Sequence, residues 1–223
     1  MVRSKTRASS ELANSAATRP DRAAFQKAIG ARTYASFKRH LAGSNCQLCG
    51  LSADRTHIVV DRGTPKAEIL LVGEGPGAEE DRLGSAFVGA SGKLLDEMLR
   101  EAEIDPKNDV LIANVVKCRP PENRTPTASE VAECLPLLRR QVELVRPRFV
   151  GLLGATAIRH LLGKKGAVTP LVGRFTEHDS YPGIEFILLY HPAYILRSRS
   201  KRGVMVSWLR KLKERCRMSV ADG

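Results

Sequence analysis

Cys46 and Cys49 form a C-x2-C pair, Cys118 lies in NVVKCRPPENR and Cys134 in EVAECLP. Cys46, Cys49 and Cys118 sit beside Asn45, Gln47, Lys117 and Arg119, polar company for a residue that usually packs as a small hydrophobe. Four thiolates hold zinc or an iron–sulfur cluster. The two later cysteines lie far from the pair, unlike the knuckles of a zinc ribbon. That favours a centre stapling the segment near Cys46 to the rest of the chain, with iron–sulfur and zinc both open. Cys216, in the last helical stretch, reads as a buried hydrophobe. A second stretch, LLVGEGPGAEED from Leu70, breaks from an apolar run into Gly73, Gly75 and Gly77 and then into Glu79, Glu80 and Asp81. Glycines there let a ligand approach backbone closely. A phosphate site would carry a G-K-[ST] ending, which is missing. The plainer reading of the three acids is a solvated turn.

These residues need elements to position them. AEILLVG (67–73), DVLIANVV (109–116), RFVGLLG (148–154) and EFILLYHP (185–192) read as four strands, each nearly all apolar. Between them, ASGKLLDEMLREAEI, TASEVAECLPLLRRQVELVRP and ATAIRHLLG read as helices. In the second of these, Thr127 is the N-cap with Glu130 three residues on, and Gly163 closes the third. One helix is expected over 21–41 and a basic one over VMVSWLRKLKERC. Apolar strands alternating with helices predict an α/β fold, three-layer α/β/α around a central four-stranded, mostly parallel sheet. Ligands bind such sheets beyond the carboxyl ends of the strands. The places to look are therefore after Gly73, near Asn114, after Gly154 and at His191.

The chain carries a formal net charge of +12 and 43% hydrophobic residues. The basic excess points to a polyanion, with nucleic acid the first choice. Aromatic residues make up 5%, too few for a long base-stacking platform. Residues 1–20 are expected to form a disordered basic extension, 21–217 a single domain and 218–223 a tail. No run of about 18 apolar residues is present, so no membrane span is expected. The N-terminal stretch lacks the apolar core of a secretory signal, and the expected location is the cytoplasm. A monomer is expected.

Taken together, GEGPGAEED, GSAFVGASGKLLDEML, NVVKCRPPENRTPT and HPAYILR resemble the family 4, iron–sulfur class of uracil-DNA glycosylases. The likeness runs from about Cys46 to Arg210. It implies the three-layer parallel fold, removal of uracil from DNA, and a [4Fe-4S] cluster on Cys46, Cys49, Cys118 and Cys134. Two departures stand out. Ala86 occupies a position where the family usually has proline, which could loosen the loop carrying Phe87. The loop RPPENRTPT also lacks the histidine of the related class that traps uracil covalently, so no covalent mechanism is expected.

Uracil removal demands a flipped nucleotide and a site that closes on the base, reads its edge, stabilises its anion and directs water to C1′. Under the resemblance, Gly73, Gly75 and Gly77 bring backbone against base and sugar. Glu74 occupies the family position for stabilising the cationic sugar and the attacking water. Glu80 is a second acid, shaping the pocket near uracil C5. Phe87 stacks on the base. The Asn114 amide can donate to uracil O4 and accept from N3–H, with Asn123 a weaker candidate in the following loop. His191 can donate to O2. Beyond it, Tyr194 and Leu196 are apolar wedges, and Arg197 and Arg199 phosphate contacts. His40, His57, His160 and His178 read as surface or structural residues. Removal of another deaminated base, hypoxanthine or xanthine, and a non-catalytic iron–sulfur nucleic-acid-binding module are the alternative uses of the same scaffold.

Overall fold

A computed structural model of the chain describes residues 20–164, 166–167 and 169–221. The extension expected over 1–20 lies outside the described residues apart from Pro20.

Among the described residues, six strands form one sheet: β1 (Arg62–Gly63), β2 (Ile69–Gly73), β3 (Val110–Asn114), β4 (Phe149–Leu153), β5 (Phe175–Thr176) and β6 (Glu185–Leu189). Their spatial order is β1-β3-β2-β4-β6-β5. The four five-residue strands are mutually parallel and are the four that the apolar runs predict. The structure adds β1 and β5 as antiparallel edges. At two residues each, they are too short to show a period.

Among the described residues, eight α-helices accompany the sheet: α1 (Pro20–Ile29), α2 (Tyr34–Ala42), α3 (Ala78–Leu83), α4 (Ala90–Glu101), α5 (Ala128–Val145), α6 (Ala155–Leu162), α7 (Pro192–Arg197) and α8 (Arg202–Ala221). The single helix expected over 21–41 is two. The break falls between Gly30 and Thr33, and Thr33 Oγ1 caps α2 by accepting from Ser36 N at 3.2 Å. The last helix runs past the expected boundary at 217 to Ala221. Thr127 and Glu130 form the capping box of α5, and Gly163 ends α6 in the left-handed region.

The layers follow from the strand pleat, which sends successive side chains to opposite faces. Leu70, Val72, Leu111 and Val150 pack with Phe25 and Phe37 of α1 and α2, Leu138 of α5 and Ile158 of α6. Ile69, Leu71, Ile112 and Ile187 pack with Leu95 and Leu99 of α4 and Met205 and Leu209 of α8. The sheet is thus buried on both sides, which is why its strands carry no polar face. Cys216 is buried in the second cluster, as its apolar reading requires. Among the described residues no helix is long and apolar enough to cross a membrane.

Helix α3 overturns the plain reading of two of the three acids. Glu79 is exposed and pairs with Arg82, but Glu80 and Asp81 are buried. Asp81 accepts from Thr56 N at 2.9 Å and from His57 N at 3.2 Å, and His57 Nδ1 lies 2.7 Å from the Asp81 carbonyl. The chain leaving the C-x2-C pair is thereby pinned to the helix that follows the glycine loop. Asp81→Ala orphans these amides and should cost about 1–3 kcal/mol, whereas Glu79→Ala should stay within about 0.5 kcal/mol. Urea unfolding of the two variants, with exchange rates of the Thr56 and His57 amides, checks this; equal midpoints would remove the clamp.

Candidate active site and cysteine cleft

A cavity of about 450 Å³ opens at the carboxyl ends of the parallel strands. It collects Glu74, Gly75 and Gly77 after β2, Asn114 at the end of β3, Gly154 and Thr156 after β4, and His191 after β6. Phe87, Glu80, Asn123, Tyr194 and Arg197 also line it. Leu196 and Arg199 do not. They line a separate groove between α4 and α7 with Lys93, Leu94 and Arg202. The four residues expected to touch DNA therefore divide between the cavity and its neighbour. Leu196 is 41% exposed and Tyr194 38%, so both apolar side chains face outward.

The floor is built by close approach. A Cβ on Gly73 would lie 2.5 Å from the Phe87 ring and 2.6 Å from Asn114 Oδ1, so only glycine lets these two side chains meet over the strand end. Phe87 itself has φ +53, and a Cβ on Gly92 would lie 1.8 Å from its carbonyl oxygen. The Phe87 backbone is held by Glu80. Its Oε1 accepts from Val88 N at 2.9 Å and Gly89 N at 2.7 Å, and its Oε2 from Gly77 N at 3.1 Å. Both oxygens of Glu80, expected as a second acid of the reaction, are thus engaged with backbone. Ala86 is fully buried in the adjoining core, so the loop is anchored on both sides of Phe87.

Asn114 is 1% exposed, and neither its Nδ2 nor its Oδ1 has a hydrogen-bond partner among the described residues. Glu74 accepts a hydrogen bond from the Thr156 hydroxyl. Asn123 lines the cavity at φ +56, with Oδ1 accepting from Arg119 Nε at 2.8 Å. Beside it stands Arg124, which pairs with Glu130 at 2.6 Å. Sequence reasoning passed over Thr156, Arg124 and Ser91, which also line the cavity. It had marked the position after Gly154 but named no residue there.

His191 caps α7, its Nδ1 accepting from Ala193 N at 3.2 Å. In the neutral ring this puts the proton on Nε2, leaving a donor. Burial, with Arg197 nearby, pulls its pKa down to about 4 against a weaker upward pull from Glu80. Its ring lies 5.8 Å from that of Phe87. The Tyr194 and Tyr190 rings meet at 5.2 Å with a 43° tilt, and those of Tyr190 and Trp208 at 5.4 Å with a 42° tilt.

The four cysteines Cys46, Cys49, Cys118 and Cys134 share one cleft on the other face of the sheet, with Leu41, Leu48 and Ile58. As they stand, no three His, Cys, Asp or Glu side chains among the described residues are gathered tightly enough to hold a metal ion. Arg55 Nη1 lies 3.7 Å from Cys118 Sγ, and Lys117 N donates to Cys134 Sγ at 3.3 Å. Burial pushes the thiols of Cys118 and Cys134 up to about 11 and about 12. Deprotonating them requires positive charge in the cleft.

The family model of the uracil DNA glycosylase superfamily matches residues 60–213. The type-4 uracil-DNA glycosylase of Thermotoga maritima is 47% identical over 156 residues, covering 70% of this chain and 80% of that protein. Its counterparts in Pyrobaculum aerophilum and Sulfurisphaera tokodaii are 40% and 38% identical, covering 74% and 76% of this chain and 87% and 80% of theirs.

The depressed pKa of His191 has a consequence for stability. An unfolded imidazole binds its proton near 6.5 and the folded one near 4. As pH falls through that window the unfolded state gains the proton first, so stability drops. His191→Gln lacks this titration and should lose less stability than the wild type between about pH 6.5 and 4. Unfolding free energies across that range check it; parallel curves would show that the fold does not hold His191 neutral.

Proposed function

The chain belongs to the type-4 uracil-DNA glycosylases of that superfamily, and from this premise we propose how its own residues flip, read and release uracil from DNA. The observation that carries the reading is the buried Asn114 amide, which has no partner among the described residues and stands beside Phe87 at the cavity floor. Leaving such a group unmatched costs about 1–3 kcal/mol. Nδ2 matches O4 of uracil and Oδ1 matches N3–H. Phe87 supplies a ring face for the flipped base, and His191, neutral with Nε2–H, donates to O2. Cleavage sends the C1′–N1 electron pair into the base, and negative charge gathers at O2 and O4. Preorganised donors at those two atoms lower the barrier. Glu74, oriented by Thr156, faces the opposite charge on the sugar. A water attacks C1′ and passes its proton to the Glu74 carboxylate, leaving an abasic site. In this scheme Glu80 is a positioning residue: it holds the loop that presents Phe87. Tyr194 and Arg197 at the cavity, with Leu196 and Arg199 in the adjoining groove, meet the duplex, and the net charge of +12 suits its phosphates.

The cysteine cleft is proposed to hold a [4Fe-4S] cluster on Cys46, Cys49, Cys118 and Cys134. The donor set fits. All four thiols face one cleft, the Lys117 N–H reaches a cysteine sulfur, and Arg55 offers positive charge to another. A bound cluster would supply the charge that keeps the thiolates ionised, and Cys46 and Cys49, before β1, would be tied through it to Cys118 in the loop after β3 and Cys134 in α5. Purified protein should be brown and contain iron, and Cys118→Ser should lose iron and stability while Cys216→Ser keeps both. Iron analysis and thermal unfolding decide this; colourless, zinc-loaded protein with full activity would sink it.

Asn114→Asp tests base reading. It puts a second acceptor opposite O4, which costs about 1–3 kcal/mol or more in a dry pocket. Uracil release should fall by roughly tenfold to several hundredfold. Cytosine offers an amino donor at the same edge, so the preference for uracil over cytosine should narrow. Single-turnover kinetics on matched oligonucleotides check it, and an unchanged ratio would take Asn114 out of the reading role.

A further inference from the structure

The catalytic scheme leaves one buried charge without a use. Lys117 is 1% exposed. Its Nζ donates to the Asn114 carbonyl at 2.8 Å and to Gln141 Oε1. Both acceptors are neutral amide oxygens, while Cys134, Asp61 and Cys118 lie within electrostatic reach of the ammonium. Lys117 also lines the cysteine cleft.

The network behind it is fully engaged. Gln141 Nε2 donates to the Tyr34 hydroxyl at 2.9 Å and to the Val60 carbonyl at 3.2 Å. Tyr34 donates to Asp61 Oδ2 at 2.5 Å, and Lys38 reaches Asp61 Oδ1 at 2.7 Å. Lys117 thus fastens the last residue of β3 to α5, α2 and the segment before β1. The contrast within Asn114 is sharp: its carbonyl is bound, while its side-chain amide has no partner among the described residues. The amide is then aimed by the packing of Phe87 and by the backbone beneath it.

We propose that Lys117 is a positioning residue for base recognition. It grips the Asn114 carbonyl from behind and, through Gln141, locks the amide into the orientation the base edge requires. The inference rests on the reading of Asn114 given above. It also explains a juxtaposition. The same residue's N–H donates to Cys134 Sγ and its neighbour is Cys118, so one residue joins the cysteine cleft to the floor of the uracil pocket.

The test is a double-mutant cycle on the full chain as purified. Lys117→Met and Gln141→Leu are made alone and combined with Asn114→Ala. Iron per chain, thermal midpoint, kcat and KM on a uracil oligonucleotide, and inhibition by free uracil are measured. Each single variant should keep its iron, lose roughly 10- to 100-fold in kcat with KM nearly unchanged, and bind free uracil more weakly. In the Asn114→Ala background the same changes should cost less than about twofold further. Losses that multiply independently would overturn the role of Lys117, as would loss of iron or fold in both variants. A wild-type chain that neither releases nor binds uracil would instead overturn the reading of Asn114, and this one with it.

Discussion

Two carboxylates on one short helix hold the functional half of the molecule together. Helix α3 is six residues long, and Glu80 and Asp81 on it face opposite duties. Glu80 collects three backbone amides around the Phe87 loop. Asp81 collects those of Thr56 and His57 on the way out of the C-x2-C pair. Hydrogen bonds from backbone to a buried carboxylate are short, charge-assisted and costly to break. The loop that carries Phe87 and the strap that carries two cysteines therefore share one anchor. Glu80 and Asp81 serve neighbouring backbone, and Glu74, ahead of them, is the carboxylate the proposed scheme uses for chemistry.

The cavity separates residues by whether their hydrogen bonds are spent. Both oxygens of Glu80 and the Oδ1 of Asn123 are committed to protein donors, and Glu74 accepts from Thr156. The Asn114 amide has no partner among the described residues, and the ring tautomer of His191 leaves a donor over. Under the proposed scheme the backbone-bound carboxylate of Glu80 sets geometry, while Asn114 and His191 keep polar atoms for the base.

Much of this was legible in the chain itself. Leu70 and Val72 turn to one helical layer and Ile69 and Leu71 to the other, so burial on both faces wrote the parallel strands as unbroken apolar runs. Parallel strands then placed Glu74, Asn114 and His191 at one end of the sheet. The edge strands were silent because two residues carry no period. The break before Thr33 was written in Gly30 and the cap, but apolar residues continued across it. Asp81 was unreadable for a different reason: its partners are backbone amides 24 and 25 residues away, and every sequence offers those. Lys117 did leave a sign, a charge directly after the apolar pair Val115 and Val116. Only the fold shows that it points inward.

The row of rings from Tyr194 through Tyr190 to Trp208 carries a practical consequence. Trp208 is the only tryptophan in the chain. Its indole lies two aromatic contacts from a phenol at the mouth of the cavity, on the helix that follows His191. Whatever covers Tyr194 changes the surroundings of the whole row, and there is no second indole to blur the emission. The fold thus contains its own optical reporter, coupled to the mouth of the cavity.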